Sequence, residues 1–251
     1  TSSEIITINK DITFDGNGHT LTSTAGRAIN VDGADGATIQ NLTIVANGER
    51  GINIIGGATN VTITDVDVTA KNYAVNLAAS AGGAVVTITD STLTGLNAFN
   101  AAAANAEVTI AGSEIYCNDN SADENYGAIS LNQDAAGTKV VVTDSQFYIK
   151  GDSFVATNSA SGKGATITIN GSTEAVENMV AAIDCAGGYS KVFTSLADAF
   201  AEADAGETVK LIANATEDVT IAATATLALN GFNATGTFTI TDAAAKFYAA
   251  E

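Results

Sequence analysis

One eight-residue phrase recurs six times, and its spacing fixes most of what this chain can fold into. It starts at Ala37 (ATIQNLTI), Val61 (VTITDVDV), Val86 (VTITDSTL), Val108 (VTIAGSEI), Val140 (VVVTDSQF) and Ile167 (ITINGSTE), at intervals of 24, 25, 22, 32 and 27 residues. A second phrase keeps step with it: Arg27-Ala-Ile-Asn-Val, Arg50-Gly-Ile-Asn-Ile, Tyr73-Ala-Val-Asn-Leu, Asn97-Ala-Phe-Asn-Ala and Tyr126-Gly-Ala-Ile-Ser-Leu. Each repeat therefore holds two short strands divided by Gly, Asp and Asn turn residues. Alternation sends Val61 and Ile63 to one side and Thr62 and Thr64 to the other.

A strand of four or five residues cannot bury its apolar side alone. Stacking repeats about 4.8 Å apart buries it continuously. The period of two and the β-branched residues exclude helical repeats, and Leu does not recur at the fixed positions a leucine-rich horseshoe needs. The expected fold is all-β: a right-handed parallel β-helix, with coils over 1–187 and a helix plus further strands, capping or joining subunits, over 188–251. Asn30, Asn53, Asn76 and Asn100 should form one ladder of amides, and Thr38, Thr62, Thr87 and Thr109 a ladder of hydroxyls on another side.

Hydrophobic residues make up 46% of the chain without any Trp, so Val, Ile, Leu and Ala must build the core. The net charge of −18 repels nucleic acid and anionic membranes. No apolar run reaches the roughly 18 residues of a membrane-spanning helix. Thr1 is not an initiator Met, which we read as removal of a leader from an exported protein.

The one convincing helix begins after Ser195, an N-cap with Asp198 three residues on, and stops near Gly206. The stretch Phe193-Thr-Ser-Leu-Ala-Asp-Ala-Phe, with Gly206-Glu-Thr-Val-Lys-Leu-Ile, Val219-Thr-Ile and Leu227-Ala-Leu-Asn-Gly, resembles the opening segment of pectin-lyase-like β-helix proteins of bacterial and archaeal surfaces. Ile12-Thr-Phe-Asp-Gly-Asn-Gly-His-Thr resembles the strand pair that follows it there. The order is inverted here, which fits either a duplication or stacking of one molecule's end on the first coil of the next. The resemblance implies a secreted or cell-surface protein, and stacking of one molecule's end on the next, if that explains the inverted order, would make it a structural subunit that associates head to tail through its end coils. A monomeric adhesin, contacting a glycan or a cell-surface protein, is the alternative.

Enzymes of that superfamily include polysaccharide lyases, with acidic Ca²⁺ ligands and an Arg or Lys base, and glycoside hydrolases with clustered aspartates. Arg27 and Arg50 share one repeat position and are the candidate contacts for an acidic sugar, unless nearby carboxylates pair with them. Asp65, Asp67, Asp90 and Asp144 lie at or near one turn, where Asp caps backbone N–H groups. His19, the sole histidine, sits in a turn motif, so no His-based or thiol catalysis is expected. No cofactor is expected beyond possible Ca²⁺, for which the insertion at 117–126 offers Asp119, Asp123 and Glu124 without EF-hand spacing. Cys117 and Cys185 could form a disulfide if their coils adjoin. Asn41, Asn60, Asn170, Asn214 and Asn233 begin glycosylation sequons. Thr62/Thr64 and Thr87/Thr89 suggest ice binding as a remote alternative, since the pattern decays to Thr38/Gln40 and Thr109/Ala111.

Overall fold

A computed structural model of the chain describes every residue except 119–125, 152, 172–178 and 251. It is a mostly-β protein, a parallel β-solenoid of about ten turns in two compact units, Thr1–Glu174 and Ala175–Glu251.

Each coil of the first unit has three sides. The second coil shows the plan: Arg27–Asp32 forms one side, and Thr38–Ala46 bends to form the other two. The asparagine side stacks Ile6–Ile8, Arg27–Asp32, Arg50–Ile55, Tyr73–Leu77, Asn97–Ala101, Gly127–Leu131 and Phe154–Asn158 into a parallel sheet of seven strands. The threonine side carries the first half of the eight-residue phrase, and the third side its second half.

The bend has a residue-level cause. Asn41, Asp65, Asp90, Gly112 and Asp144 hold one corner on successive coils, with φ of 53°, 52°, 49°, 58° and 49°. Only Gly, and with it Asn and Asp, takes that left-handed conformation at low cost. The fifth letter of the phrase is thus fixed by backbone geometry. Capping at this corner falls to serine instead of aspartate. Ser91 Oγ accepts from Val66 N (3.2 Å), Ser113 Oγ from Ser91 N (3.2 Å) and Ser145 Oγ from Ser113 N (3.1 Å). Each hydroxyl donates to the carbonyl two residues earlier: Thr89, Ala111 and Thr143.

Inside, apolar residues stack on apolar residues in register. Ile29, Ile52, Val75, Phe99 and Ile129 form one fully buried column in register. Ile39, Ile63, Ile88, Ile110, Val142 and Ile169 form another. Each such side chain contributes about 1.5–3 kcal/mol by leaving water.

The second unit comprises Ala175–Glu251. Ala181–Asp184 pairs antiparallel with both Tyr189–Phe193 and Thr208–Leu211, which ties it to the later residues. Thr208–Leu211, Ala225–Ala228 and Phe247–Ala250 then stack in parallel, with smaller ladders at Ala215–Thr216/Ala234–Thr235 and Val219–Ile221/Phe238–Ile240. The helix, Leu196–Glu202, puts Leu196, Ala199 and Phe200 into this core. Ser195 caps it as expected, its Oγ accepting from Asp198 N at 3.2 Å. A second cap was not legible: Glu217 accepts from Leu196 N (2.7 Å), Ala197 N (3.2 Å) and Ser195 Oγ (2.8 Å).

Candidate functional site

The amide ladder forms as expected. Asn53 Nδ2 donates to Asn30 Oδ1 (2.9 Å), Asn76 Nδ2 to Asn53 Oδ1 (2.8 Å) and Asn100 Nδ2 to Asn76 Oδ1 (2.7 Å). The register continues to Ser130 and Thr157, whose hydroxyls meet at 3.0 Å. A side-chain amide has two N–H donors and an oxygen with two lone pairs. The interior rungs Asn53 and Asn76 each use one N–H and accept one ladder bond, so further hydrogen-bonding capacity remains on the outer side of the sheet.

Above part of this ladder lies a groove of about 310 Å³. Asn76, Asn100 and Ser130 line it together with Arg50, Tyr73 and Tyr126, which begin their strands or directly precede them. Ala78, Ala79, Ala102, Asn132 and Ser159, which follow their strands, complete the lining. The groove is thus polar along its ladder and aromatic and cationic where the strands begin.

Among the described residues that line it, Arg50 is the one cation. The guanidinium lies 5.3 Å from the centre of the Tyr73 ring, and its Nη1 donates to Asn53 Oδ1 at 3.4 Å. Its Nε is buried without an acceptor. Burial first, and neighbouring Arg27 second, hold the Arg50 pKa below its ordinary value, with Tyr73 and Glu49 acting the other way. Arg27 is in direct register with Arg50, and Arg50 with Tyr73, but Arg27 does not line the groove. Among the described residues the ion pairs are Lys191–Glu202 and Lys210–Asp184, both in the second unit. Among the described residues, neither arginine forms an ion pair with a carboxylate. Asn97, in register with Tyr73, is 1% exposed and has both amide atoms unpartnered.

The remaining candidates lie elsewhere. His19 is exposed on the first coil, and Asp65, Asp67, Asp90 and Asp144 are exposed at or beside the corner opposite in character to the groove. Asp119, Asp123 and Glu124 lie outside the described residues. Among the described residues, no three His, Cys, Asp or Glu side chains are grouped to hold a metal ion. The Cys117–Cys185 disulfide is not formed. Cys117 points into the first unit's core and donates to Leu96 O (3.2 Å), while Cys185 is half-buried in the second unit and donates to Ile183 O (3.5 Å). Of the sequon asparagines, Asn60, Asn170, Asn214 and Asn233 are exposed, and Asn41 is half-buried at the corner with its Nδ2 on Asp15 Oδ1.

Sequence reasoning missed Tyr73 and Tyr126 as groove residues. The signal was there for Tyr73, which takes the Arg27 and Arg50 position in the next copy of the second phrase. Compared with protein-family models, curated proteins and solved structures, the chain has no match.

Proposed function

We propose that this chain is an extracellular structural solenoid that contacts an acidic glycan along its asparagine side. The observation that carries the reading is the pair Arg27–Arg50, stacked on adjacent coils without a carboxylate partner among the described residues, in a chain with 28 acidic and 10 basic residues. Leaving two neighbouring guanidiniums unpaired in such a chain costs mutual repulsion, which an anionic ligand would relieve. Tyr73 offers a flat ring beside them, and the amide ladder offers hydroxyl-matching donors and acceptors. The resemblance to pectin-lyase-like surface proteins supports both the glycan and the extracellular setting.

Calorimetric titration with uronate-containing, sulfated and neutral oligosaccharides tests it. Binding confined to the acidic sugars, weakened by salt and lost in Arg27→Gln/Arg50→Gln, is expected. Equal affinity for neutral sugars, or unchanged affinity in the double variant, overturns it. Release of unsaturated or reducing ends during the titration would turn the reading into that of a lyase or hydrolase.

Self-association is a second reading with its own observation. Among the described residues, Thr13–Ser23, an eleven-residue strand, pairs with Thr38–Ala46 on one side and, on the other, makes one bridge, Ser2–Ser23. A long open edge of this kind templates further pairing. Electron microscopy of the concentrated chain should show end-to-end chains of copies, and monodisperse particles would rule this reading out.

A further inference from the structure

On the third side, away from the asparagine ladder, two tyrosines occupy one position on adjacent coils. Tyr116 in Glu114–Cys117 is in register with Tyr148 in Gln146–Lys150. Their ring centroids are 4.3 Å apart and their planes 4° from parallel. One carboxylate serves both: Tyr116 Oη donates to Glu114 Oε2 (3.1 Å) and Tyr148 Oη to Glu114 Oε1 (3.4 Å). Both rings are half-buried, with part of each open to solvent.

We propose that Tyr116 and Tyr148 are a modification site, a pair that a one-electron oxidant converts into a dityrosine bond joining adjacent coils. The oxidant class is a haem peroxidase with hydrogen peroxide. One electron leaves each ring for the peroxidase, and each hydroxyl loses its proton, for which the Glu114 carboxylate is the adjacent acceptor. The two phenoxyl radicals join through one carbon ortho to each oxygen, forming a single C–C bond. The hydrogens on those two carbons then shift to the oxygens as both rings regain aromaticity. The chain loses two hydrogen atoms in all, and one peroxide becomes two waters.

Three features favour this pair. Stacking holds the two rings parallel with centroids 4.3 Å apart within one chain, so the reaction is intramolecular and needs no encounter between chains. A shared carboxylate gives the departing protons a base at hydrogen-bond distance. Burial, followed by the bond to Glu114, raises the Tyr116 pKa above that of an ordinary phenol, so this ring enters oxidation protonated and depends on such a base. The product would fasten two coils that are otherwise joined only by hydrogen bonds and packing.

Treating the purified chain with peroxidase and limiting hydrogen peroxide tests this. The expected result is dityrosine fluorescence on a band that still runs as a monomer under denaturing conditions. Trypsin should then release peptides 72–139 and 140–150 joined and lighter by two hydrogens than their sum, with the link at Tyr116 and Tyr148. Tyr116→Phe and Tyr148→Phe, which keep the stacked rings, should each reduce the monomer signal to background, whereas Tyr73→Phe should leave it. Glu114→Gln, which still accepts a hydrogen bond but is a far weaker base, should slow the initial rate several-fold. Undiminished monomer signal in Tyr116→Phe, or dityrosine found only in cross-linked dimers, overturns the proposal. An unchanged rate in Glu114→Gln removes Glu114 from it.

Discussion

The amide ladder makes the cost of losing a rung depend on where that rung stands. Asn76 is 3% exposed and makes two ladder bonds, donating to Asn53 Oδ1 at 2.8 Å and accepting from Asn100 Nδ2 at 2.7 Å. Asn76→Ala deletes both, leaving Asn100 Nδ2 without its acceptor and Asn53 Oδ1 with only the longer bond from Arg50 Nη1 at 3.4 Å. A buried group so orphaned costs about 1–3 kcal/mol. Two fully orphaned groups would cost about 2–6 kcal/mol; a loss of about 2–3 kcal/mol is expected, because Asn53 keeps its bond from Arg50 and the groove beside Asn76 admits water. Asn30 is the first rung. It accepts one bond from Asn53 at 2.9 Å and is only half-buried, so Asn30→Ala should cost about 1 kcal/mol or less. Urea unfolding followed by circular dichroism measures both variants against the parent, with unchanged slopes showing that stability alone has moved. A loss for Asn76→Ala no larger than for Asn30→Ala would refute the idea that these amides act as a connected ladder.

Three further outcomes follow from single residues. Glu217→Ala removes the carboxylate that holds Leu196 N, Ala197 N and Ser195 Oγ. Bonds to a charged partner are worth about 1.5–3 kcal/mol each before water replaces them, so a net loss of about 2 kcal/mol is expected. Amide exchange across Leu196–Glu202 should then speed up roughly 30-fold, and unchanged exchange would show that the cap carries no weight. At the corner, Asp90→Gly should be tolerated, whereas Asp90→Val should cost about 1–3 kcal/mol, because a β-branched side chain resists φ near 49°; equal thermal midpoints would count against a backbone origin for the repeat. Asp15, which accepts from Gln40 Nε2 at 2.9 Å and from Asn17 N at 2.8 Å, has its pKa lowered from 3.8, chiefly by Gln40. Its contribution to the first coil is therefore present above pH 3.8 and lost as pH falls through the lower folded value, which an NMR titration of the Asp15 carboxyl will show.

Coil stacking was legible because it needs nothing beyond spacing and alternation. Val61, Val86, Val108 and Val140 had to lie in register once the period was seen, and they do. The corner was half legible. Its Asn, Asp and Gly marked a turn, but assigning the cap to Asp overlooked that a residue at φ near 50° is chosen for its own backbone. The serine that follows it at Ser91, Ser113 and Ser145 was in plain view. The antiparallel pairing of Ala181–Asp184 leaves no periodic trace in the sequence. Glu217 was hidden for a related reason: it reaches the helix from 20 residues further along the chain. Arg50 in the groove and Arg27 beside it stood out by type and position, and Tyr73 by position alone, whereas Tyr126 and Asn132 belong there only through the shape of the coil.

If the ladder and the groove act together, ligand length should matter in steps. Asn76, Asn100 and Ser130 lie on three consecutive coils, so their polar groups repeat about every 4.8 Å along the groove. A pyranose unit with its linking oxygen is close to that length, so each added sugar can meet one more rung. Affinity for an acidic oligosaccharide should rise from one to about three residues and then level off, because the lining ends near Asn132 and Ser159. Asn100→Ala should flatten the rise at its middle step while leaving the monosaccharide bound at Arg50 and Tyr73. Titration with a length series reads this directly. A monosaccharide that binds as tightly as the longest oligomer would mean that the arginine end acts alone, and a rise continuing well past three residues would place the contacts outside this groove.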